Sequence, residues 1–131
     1  IIYISDIFFL CVLLHFLIWL FVSTITHKNL PLDVIEALAC GINLDCGFNI
    51  HPPGSAFFPE IFFQIFGAQD WAYYFLSSLF VVISFYFVFK FASEILQNKL
   101  QSLFSVLILE AIYFYNFTTP EFNVNVCQLP F

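Results

Sequence analysis

The stretch IFFLCVLLHFLIWLFVSTI, residues 7–25, contains no Asp, Glu, Lys or Arg in 19 positions. At about 1.5 Å per residue, a helix of this length can cross a hydrocarbon core of about 30 Å. It has no basic start, and no small-x-small cleavage site precedes His27, as would be typical of a signal peptide. We therefore interpret it as a transmembrane helix. His15, near its centre, either bonds to a neighbouring helix or takes part in function.

The composition of the whole chain also indicates a membrane protein. Of its 131 residues, 62% are hydrophobic, 9% are charged and 21 are Phe, whereas soluble domains are about 25% charged. The net charge of -6, with three Lys and Arg in total, excludes nucleic acid as a partner. Because the sequence runs from Ile1 to Phe131 and stops inside another apolar stretch, we expect it to be the N-terminal part of a longer protein.

Two further apolar stretches, residues 71–89 and 100–117, predict a second and a third transmembrane helix. Glu110 lies inside the third stretch, where we expect it to be protonated or paired within the bundle. A further helix is predicted to start near residues 121–131. The sequence thus predicts an all-α fold, a polytopic transmembrane helical bundle, with residues 1–131 as the N-terminal part of one domain. Aromatic residues mark the expected membrane surfaces: Trp71, Tyr73, Tyr74, Tyr113 and Tyr115.

The lysines predict the orientation of the bundle. Lys90 and Lys99 bracket a predicted ten-residue loop, KFASEILQNK. Short loops that carry Lys and Arg tend to stay in the cytoplasm, so this loop is assigned to the cytoplasmic side. Residues 27–70 and 118–125 then lie together on the extracytoplasmic side, although Lys28 opposes this assignment.

The extracytoplasmic loop contains a short amphipathic stretch, LDVIEALACG, at residues 32–41. We predict a helix with Asn29 as its N-cap, Pro31 near its first turn and Gly41 at its end. Such a helix lies at the membrane surface with its apolar side down. The opposite face carries two acids, Asp33 and Glu36, and two small residues, Ala37 and Cys40. The small residues leave room for a ligand beside the acids.

The sequence HPPG at residues 51–54 predicts a rigid extended corner that holds His51. Each proline fixes its own φ and restricts the residue before it. Residues 56–66 are apolar but only 11 in number, so they predict a second helix that lies in or dips into the interface, with a membrane span as the alternative. Cys40 and Cys46 are close enough in the sequence to form a disulfide, which would persist outside the cytoplasm.

The acids of this loop suit group transfer from a lipid-linked donor. One carboxylate can act as general base on an acceptor hydroxyl or amine. Others can hold a divalent cation, Mg²⁺, Mn²⁺ or Zn²⁺, against a phosphate leaving group, and Asp33 and Glu121 are the candidate ligands. The alternative from spacing alone is that Asp33 and Glu36 are only the solvated face of an interfacial helix.

Four segments in this order carry a resemblance to a known family: LDVIEALACG, a Gly-Phe turn, HPPGSAFFPEIFFQIFG and DWAYYFLSSL. The chain resembles the start of membrane glycosyltransferases of the C-type fold. More narrowly, it is similar to dolichyl-phosphate-mannose protein mannosyltransferases and their bacterial relatives, which include lipid A aminoarabinose transferases. The resemblance implies a polyprenyl-phosphate-linked sugar donor and a lipid, glycan or protein acceptor at the extracytoplasmic face.

The resemblance also implies roles for individual residues. Asp33 matches the catalytic acid of the first external loop, with Glu36 as the alternative. Substrate-binding roles fall to His51, Pro52 and Pro53 of the loop motif and to Glu121 and Asn123 of TTPEFNVN. We expect a bacterial inner membrane with a periplasmic active loop, and no turnover by residues 1–131 alone. A non-catalytic protein, such as part of a transporter or an assembly scaffold, is the alternative. An enzyme requires Asp33, Glu36, His51 and Glu121 to face one cavity.

Overall fold

The computed structural model describes residues 3–42 and 53–131, and every regular element within them is helical. This confirms the all-α class. His51, Pro52 and Cys46 lie outside the described residues. In chain order the elements are α1 (Ile4–Thr26), α2 (Leu32–Gly41), α3 (Gly54–Phe66), α4 (Asp70–Leu96), α5 (Lys99–Glu110), a π-helical turn (Phe114–Thr118) and α6 (Val124–Gln128).

α1 and α4 are the two described helices that are long and apolar enough to cross a membrane, with mean hydropathies of 2.5 and 2.0. They contain the predicted spans 7–25 and 71–89. α4 continues to Leu96, so most of the predicted loop KFASEILQNK is helical, because good helix formers such as Ala92, Glu94 and Leu96 extend it. The turn is confined to Gln97, in the left-handed region at φ 50°, and Asn98, which caps α5.

The predicted third span, residues 100–117, differs from the structure. α5 ends at Glu110 after 12 residues, about 18 Å of helix and less than a hydrocarbon core is thick. A turn follows at residues 111–112, and the chain is helical again from Tyr113 into the π-helical turn. The physical reason lies with Asn116, whose side-chain amide donates hydrogen bonds to the carbonyls of Glu110 and Ile112 and so competes with the helical ladder. We call residues 111–118 the helix break.

α4 is the central helix, and its two halves belong to different apolar clusters. The first, the bundle core, joins α4 to α1 and α5, and its rings include the stacked pair Phe8 and Phe89 at 4.1 Å between centroids. The second, the site core, joins α4 to α2 and α6. The buried members of the bundle core are Phe8, Val12, Val81, Phe85, Leu103 and Val106, and those of the site core are Val34, Tyr73, Leu76, Phe80, Phe122, Val126 and Cys127.

α2 and α3 cross in very close contact at Gly41. A Cβ at this position would lie 2.7 Å from the carbonyl oxygen of Ala56 and 2.9 Å from Cβ of Glu60. Only glycine allows this approach, because real Cβ atoms do not come so near to a backbone oxygen. Gly41 thus fixes α2 against α3, and with it the position of the acids on α2.

Candidate active site

α2 presents two different faces, as its sequence predicted. Val34 is 0% exposed and belongs to the site core, whereas Asp33 and Glu36 lie on the exposed side. Pro31, not Asn29, takes the N-cap position, and no side chain caps the helix. The proline already fixes an extended backbone there, so the predicted Asn29 cap is wrong.

The exposed face of α2 lines a cleft together with α3 and α6. The structure therefore brings Asp33, Glu36 and Asn123 to one place. The complete lining among the described residues is Asp33, Glu36, Ala37 and Cys40 from α2, Ser55 and Ala56 from α3, and Asn123 and Val124 at the start of α6.

Asp33 is held by two residues that follow the helix break. Its backbone N–H donates to Oε1 of Glu121 at 3.2 Å, and its Oδ2 accepts from Nδ2 of Asn123, also at 3.2 Å. Glu121 thus places a carboxylate at the N-terminus of α2, where the helix dipole favours negative charge. We call Asp33, Glu121 and Asn123 the cleft cluster.

Phe122 explains why Glu121 and Asn123 both reach Asp33. Its ring is 0% exposed and packs in the site core against Phe80, 5.3 Å between ring centroids. Asn123 also accepts a hydrogen bond from the N–H of Val126 through Oδ1, which caps α6. Burial of Phe122 therefore turns the residues on either side of it toward the cleft.

The remaining predicted residues have different positions. Pro53 lies at the start of α3, where its carbonyl accepts from the N–H groups of Ala56 and Phe57, and it is not among the lining residues. Cys40 has a free thiol within the described part of the chain. The predicted partner Cys46, like His51 and Pro52, cannot be placed relative to the cleft because it lies outside the described residues.

The family model of dolichyl-phosphate-mannose-protein mannosyltransferases matches residues 50–131, more than half of the chain. The chain belongs to this family. Neither a curated protein nor a solved structure matches it. The matched segment contains Glu121 and Asn123, whereas Asp33 and Glu36 precede it. Family membership and the two apolar helices together make this a membrane protein of the mannosyltransferase type.

The cleft of this mannosyltransferase-family protein is small. It encloses about 30 Å³, which is room for a water molecule or an ion but not for a sugar ring. Among the described residues, no group of three His, Cys, Asp or Glu side chains could hold a metal ion. Asp33 and Glu121 alone fall short of the six or more oxygen ligands that hard divalent cations take, so water or residues beyond the described ranges would have to complete such a site.

Sequence reasoning missed two features of the cleft. Ser55 lines it directly after the proline corner, and nothing in the local pattern distinguishes this serine from other small residues. Cys127 lies beneath the cleft in the site core, where burial raises the pKa of its thiol. This thiol therefore stays protonated and unreactive near neutral pH, since the thiolate is the reactive form.

Proposed function

We propose that the chain forms part of a glycosyltransferase that moves a sugar from a polyprenyl-phosphate-linked donor to a lipid, glycan or protein acceptor at the extracytoplasmic face. One observation carries the proposal: residues 88 and 90 positions apart in the sequence converge on the carboxylate-bearing start of α2. The family match adds the reaction type. Of the four residues whose convergence an enzyme requires, Asp33 and Glu36 line the cleft, and Glu121 accepts from the backbone of Asp33 without lining it. His51 lies outside the described residues.

In the proposed reaction, Asp33 is the general base. The acceptor hydroxyl or amine gives its proton to Asp33 as it attacks the anomeric carbon of the sugar. The bond from that carbon to the phosphate oxygen breaks, and the polyprenyl phosphate leaves with the electron pair. Asn123 donates to Oδ2 of Asp33, which orients the carboxylate and leaves Oδ1 available for the acceptor proton. Glu36, one turn further along α2, is the alternative base.

The distribution of charge supports an extracytoplasmic cleft. The cleft lies on the side where α1 ends and α4 begins, since Tyr73 near the start of α4 packs in the site core beneath α2. Lys90 and Lys99 lie at the opposite end of α4. The positive-inside rule then assigns the lysine end to the cytoplasm. In a bacterium this would place the cleft on the periplasmic face of the inner membrane.

The proposal is tested by sugar transfer from a polyprenyl-phosphate donor in membranes that contain the whole protein. Asp33→Asn keeps the size of the side chain and removes the base, so the rate should fall by about 10²- to 10⁴-fold. Asp70→Asn is the matched control, because it removes an acid from the same end of the bundle but not from the cleft lining. Wild-type rates for both Asp33→Asn and Glu36→Gln would instead favour a non-catalytic scaffold.

A divalent cation held by Asp33 and Glu121 remains part of the proposal. The same membranes can be treated with EDTA and then supplied with Mg²⁺, Mn²⁺ or Zn²⁺. Loss of transfer with EDTA and recovery with one of these ions would support the cation. Full transfer in EDTA would exclude a role for the cation and would leave the general-base role of Asp33 unaffected.

A further inference from the structure

Four polar side chains join α1 to the end of α5 inside the apolar bundle. Nδ1 of His15 lies 2.7 Å and 2.9 Å from the two carboxylate oxygens of Glu110. Nε1 of Trp19 donates to Oδ1 of Asn116 at 3.0 Å. All four residues line one cavity of about 380 Å³ that is otherwise apolar. We call His15, Trp19, Glu110 and Asn116 the membrane cluster.

The two contacts of α1 lie at the start of the helix break and within it. His15 and Trp19 are four residues apart, so they project from the same face of α1. Glu110 is the last residue of α5 before the break, and Asn116 lies in the π-helical turn inside the break. α1 therefore contacts the chain both at the end of α5 and beyond the point where the α-helix stops.

Asn116 also satisfies the backbone of the break. Its Nδ2 donates to the carbonyl of Glu110 and, at 3.2 Å, to that of Ile112. Unpaired carbonyls are costly in a hydrocarbon environment, where a break is tolerated only if protein groups satisfy it. With its Oδ1 bonded to Trp19, the whole amide of Asn116 is engaged in holding this one local conformation.

The break leads directly to the cleft cluster. Five positions separate Asn116 from Glu121, and between them the carbonyl of Thr119 accepts a hydrogen bond from Oγ of Ser77 on α4. A π-helical turn contains one residue more per hydrogen-bonded ring than an α-helical turn, so it changes the register of everything that follows. A different register would bring a different side chain, not Glu121, to the N-terminus of α2.

We infer that the membrane cluster is a positioning device for the candidate active site: His15 and Trp19 fix the register of the helix break and so set Glu121 and Asn123 against Asp33. The inference rests on the proposed function only in treating the cleft as an active site. Its geometric content, the placement of Asn123 beside Asp33, can be measured without any sugar transfer.

The test is a cross-link across the cleft in the whole protein in membranes. Asp33→Cys and Asn123→Cys are combined after all native cysteines, Cys11, Cys40, Cys46 and Cys127 among them, are replaced by Ala, and a protease site is inserted between Gln97 and Asn98. After cleavage, the two halves remain joined only if a methanethiosulfonate cross-linker of minimal length has bridged the new cysteines. An exposed turn between helices tolerates such an insertion.

Glu110→Ala and Asn116→Ala should lower the ratio of cross-linked to uncross-linked protein at least about threefold, since loss of one net hydrogen bond changes an equilibrium constant by about that factor. Trp19→Phe removes the donor and keeps a ring beside Phe117, so it should lower this ratio about twofold. Glu110→Gln retains a hydrogen-bonding group for His15 and should cross-link like the parent.

Leu107→Ala and Ile18→Ala are the matched controls, since both residues line the same cavity without joining the polar contacts. They should cross-link like the parent. The inference is overturned if Glu110→Ala and Asn116→Ala also do so, or if Leu107→Ala lowers the fraction as much as Glu110→Ala. If the alanine variants do not accumulate, the comparison is between Trp19→Phe and Glu110→Gln. Less cross-linking in Trp19→Phe than in Glu110→Gln supports the inference, and equal cross-linking in these two variants overturns it. Sugar transfer is not measured in this parent, because it lacks the carboxylate of Asp33. Failure of the proposed function is recognised separately, by wild-type transfer in Asp33→Asn and Glu36→Gln of the otherwise native protein, and does not alter the cross-linking result.

Discussion

The cleft cluster and the membrane cluster each contain a carboxylate and an Asn, but their surroundings differ. In the cleft, Asp33 is exposed and its two contacts are 3.2 Å long. In the membrane cluster, His15 is buried, the side chain of Glu110 is 36% exposed, and the contacts between them are 2.7 and 2.9 Å. A contact with one buried partner exchanges less readily with water than a contact between groups at an exposed surface.

This difference indicates how one chain can use the same residue types for two purposes. Under the proposed function, Asp33 must release its partners when substrate arrives, and its contacts lie where water can replace them. Glu110, which we infer to position a segment, has a buried His as its partner. We therefore expect substitutions in the cleft to change activity more than stability, and substitutions in the membrane cluster to change both.

Phe122→Ala should have the largest effect on stability, because Phe122 anchors the segment that links the two clusters. Its ring is fully buried in the site core, and truncation of such a ring lowers the free energy of unfolding by about 3–5 kcal/mol. Thermal unfolding in detergent measures the loss. Phe104→Ala is the control, since Phe104 is 55% exposed on α5. Equal losses in the two variants would show that Phe122 is not an anchor.

Gly41→Ala tests the cleft side of the comparison by moving α2 and leaving the membrane cluster untouched. The new Cβ would meet Ala56 and Glu60 at under 3 Å, so α2 and α3 must separate at a cost of about 1–3 kcal/mol. Gly54→Ala is the matched control, because its Cβ would find only Sγ of Cys127 at 3.8 Å. Unfolding midpoints should fall for Gly41→Ala alone, and an equal fall in both would contradict the close crossing at Gly41.

Glu110→Ala and Asp33→Ala compare the two carboxylates directly. Loss of Glu110 removes an interhelical contact within the bundle and should lower the free energy of unfolding by about 1–2 kcal/mol. Loss of Asp33, an exposed side chain, should change it by no more than about 0.5 kcal/mol. Chemical denaturation in mild detergent gives both values. A larger loss for Asp33 than for Glu110 would reverse the assignment of the two clusters.

Gln97→Gly should have a small effect of opposite sign, because it should stabilise the protein. Gln97 has a φ of 50°, in the left-handed region, at the end of α4. Glycine adopts this conformation without the steric cost that other residues incur, so we expect a gain of about 0.5–1 kcal/mol. The position is far from both clusters in the chain, and the cross-link between positions 33 and 123 should not change. A lower unfolding midpoint would argue against the left-handed turn.

Local patterns predicted the elements but not their long-range partners. The length of their apolar stretches identified α1 and α4. The helical spacing of the acids relative to Val34 and Leu38 identified the two faces of α2. His15 and Glu110 were each expected to interact within the bundle, but no periodicity relates residues 95 positions apart to each other. The same holds for Asp33 and its partners beyond the helix break.

The break itself was not predicted for a related reason. Residues 100–117 are continuously apolar apart from a few polar positions, and hydropathy averages do not register one side-chain amide. Asn116 interrupts the helix through specific hydrogen bonds to two carbonyls, which depend on Trp19 of another helix for their orientation. Competition of this kind between side chain and backbone is visible only once the tertiary partner is known.

The contact of Gly41 with Ala56 has a mechanical consequence under the proposed function. The cleft is too small for a sugar, and its α2 side is packed backbone to backbone against α3 at Gly41. The opposite wall, formed by Asn123 and Val124, is joined to α2 at the surface by the hydrogen bond from Asn123 to Asp33 and beneath it through Val34 and Val126 in the site core. Admission of a sugar under that proposal requires one of these two junctions to open, and Gly41→Ala weakens the first of them.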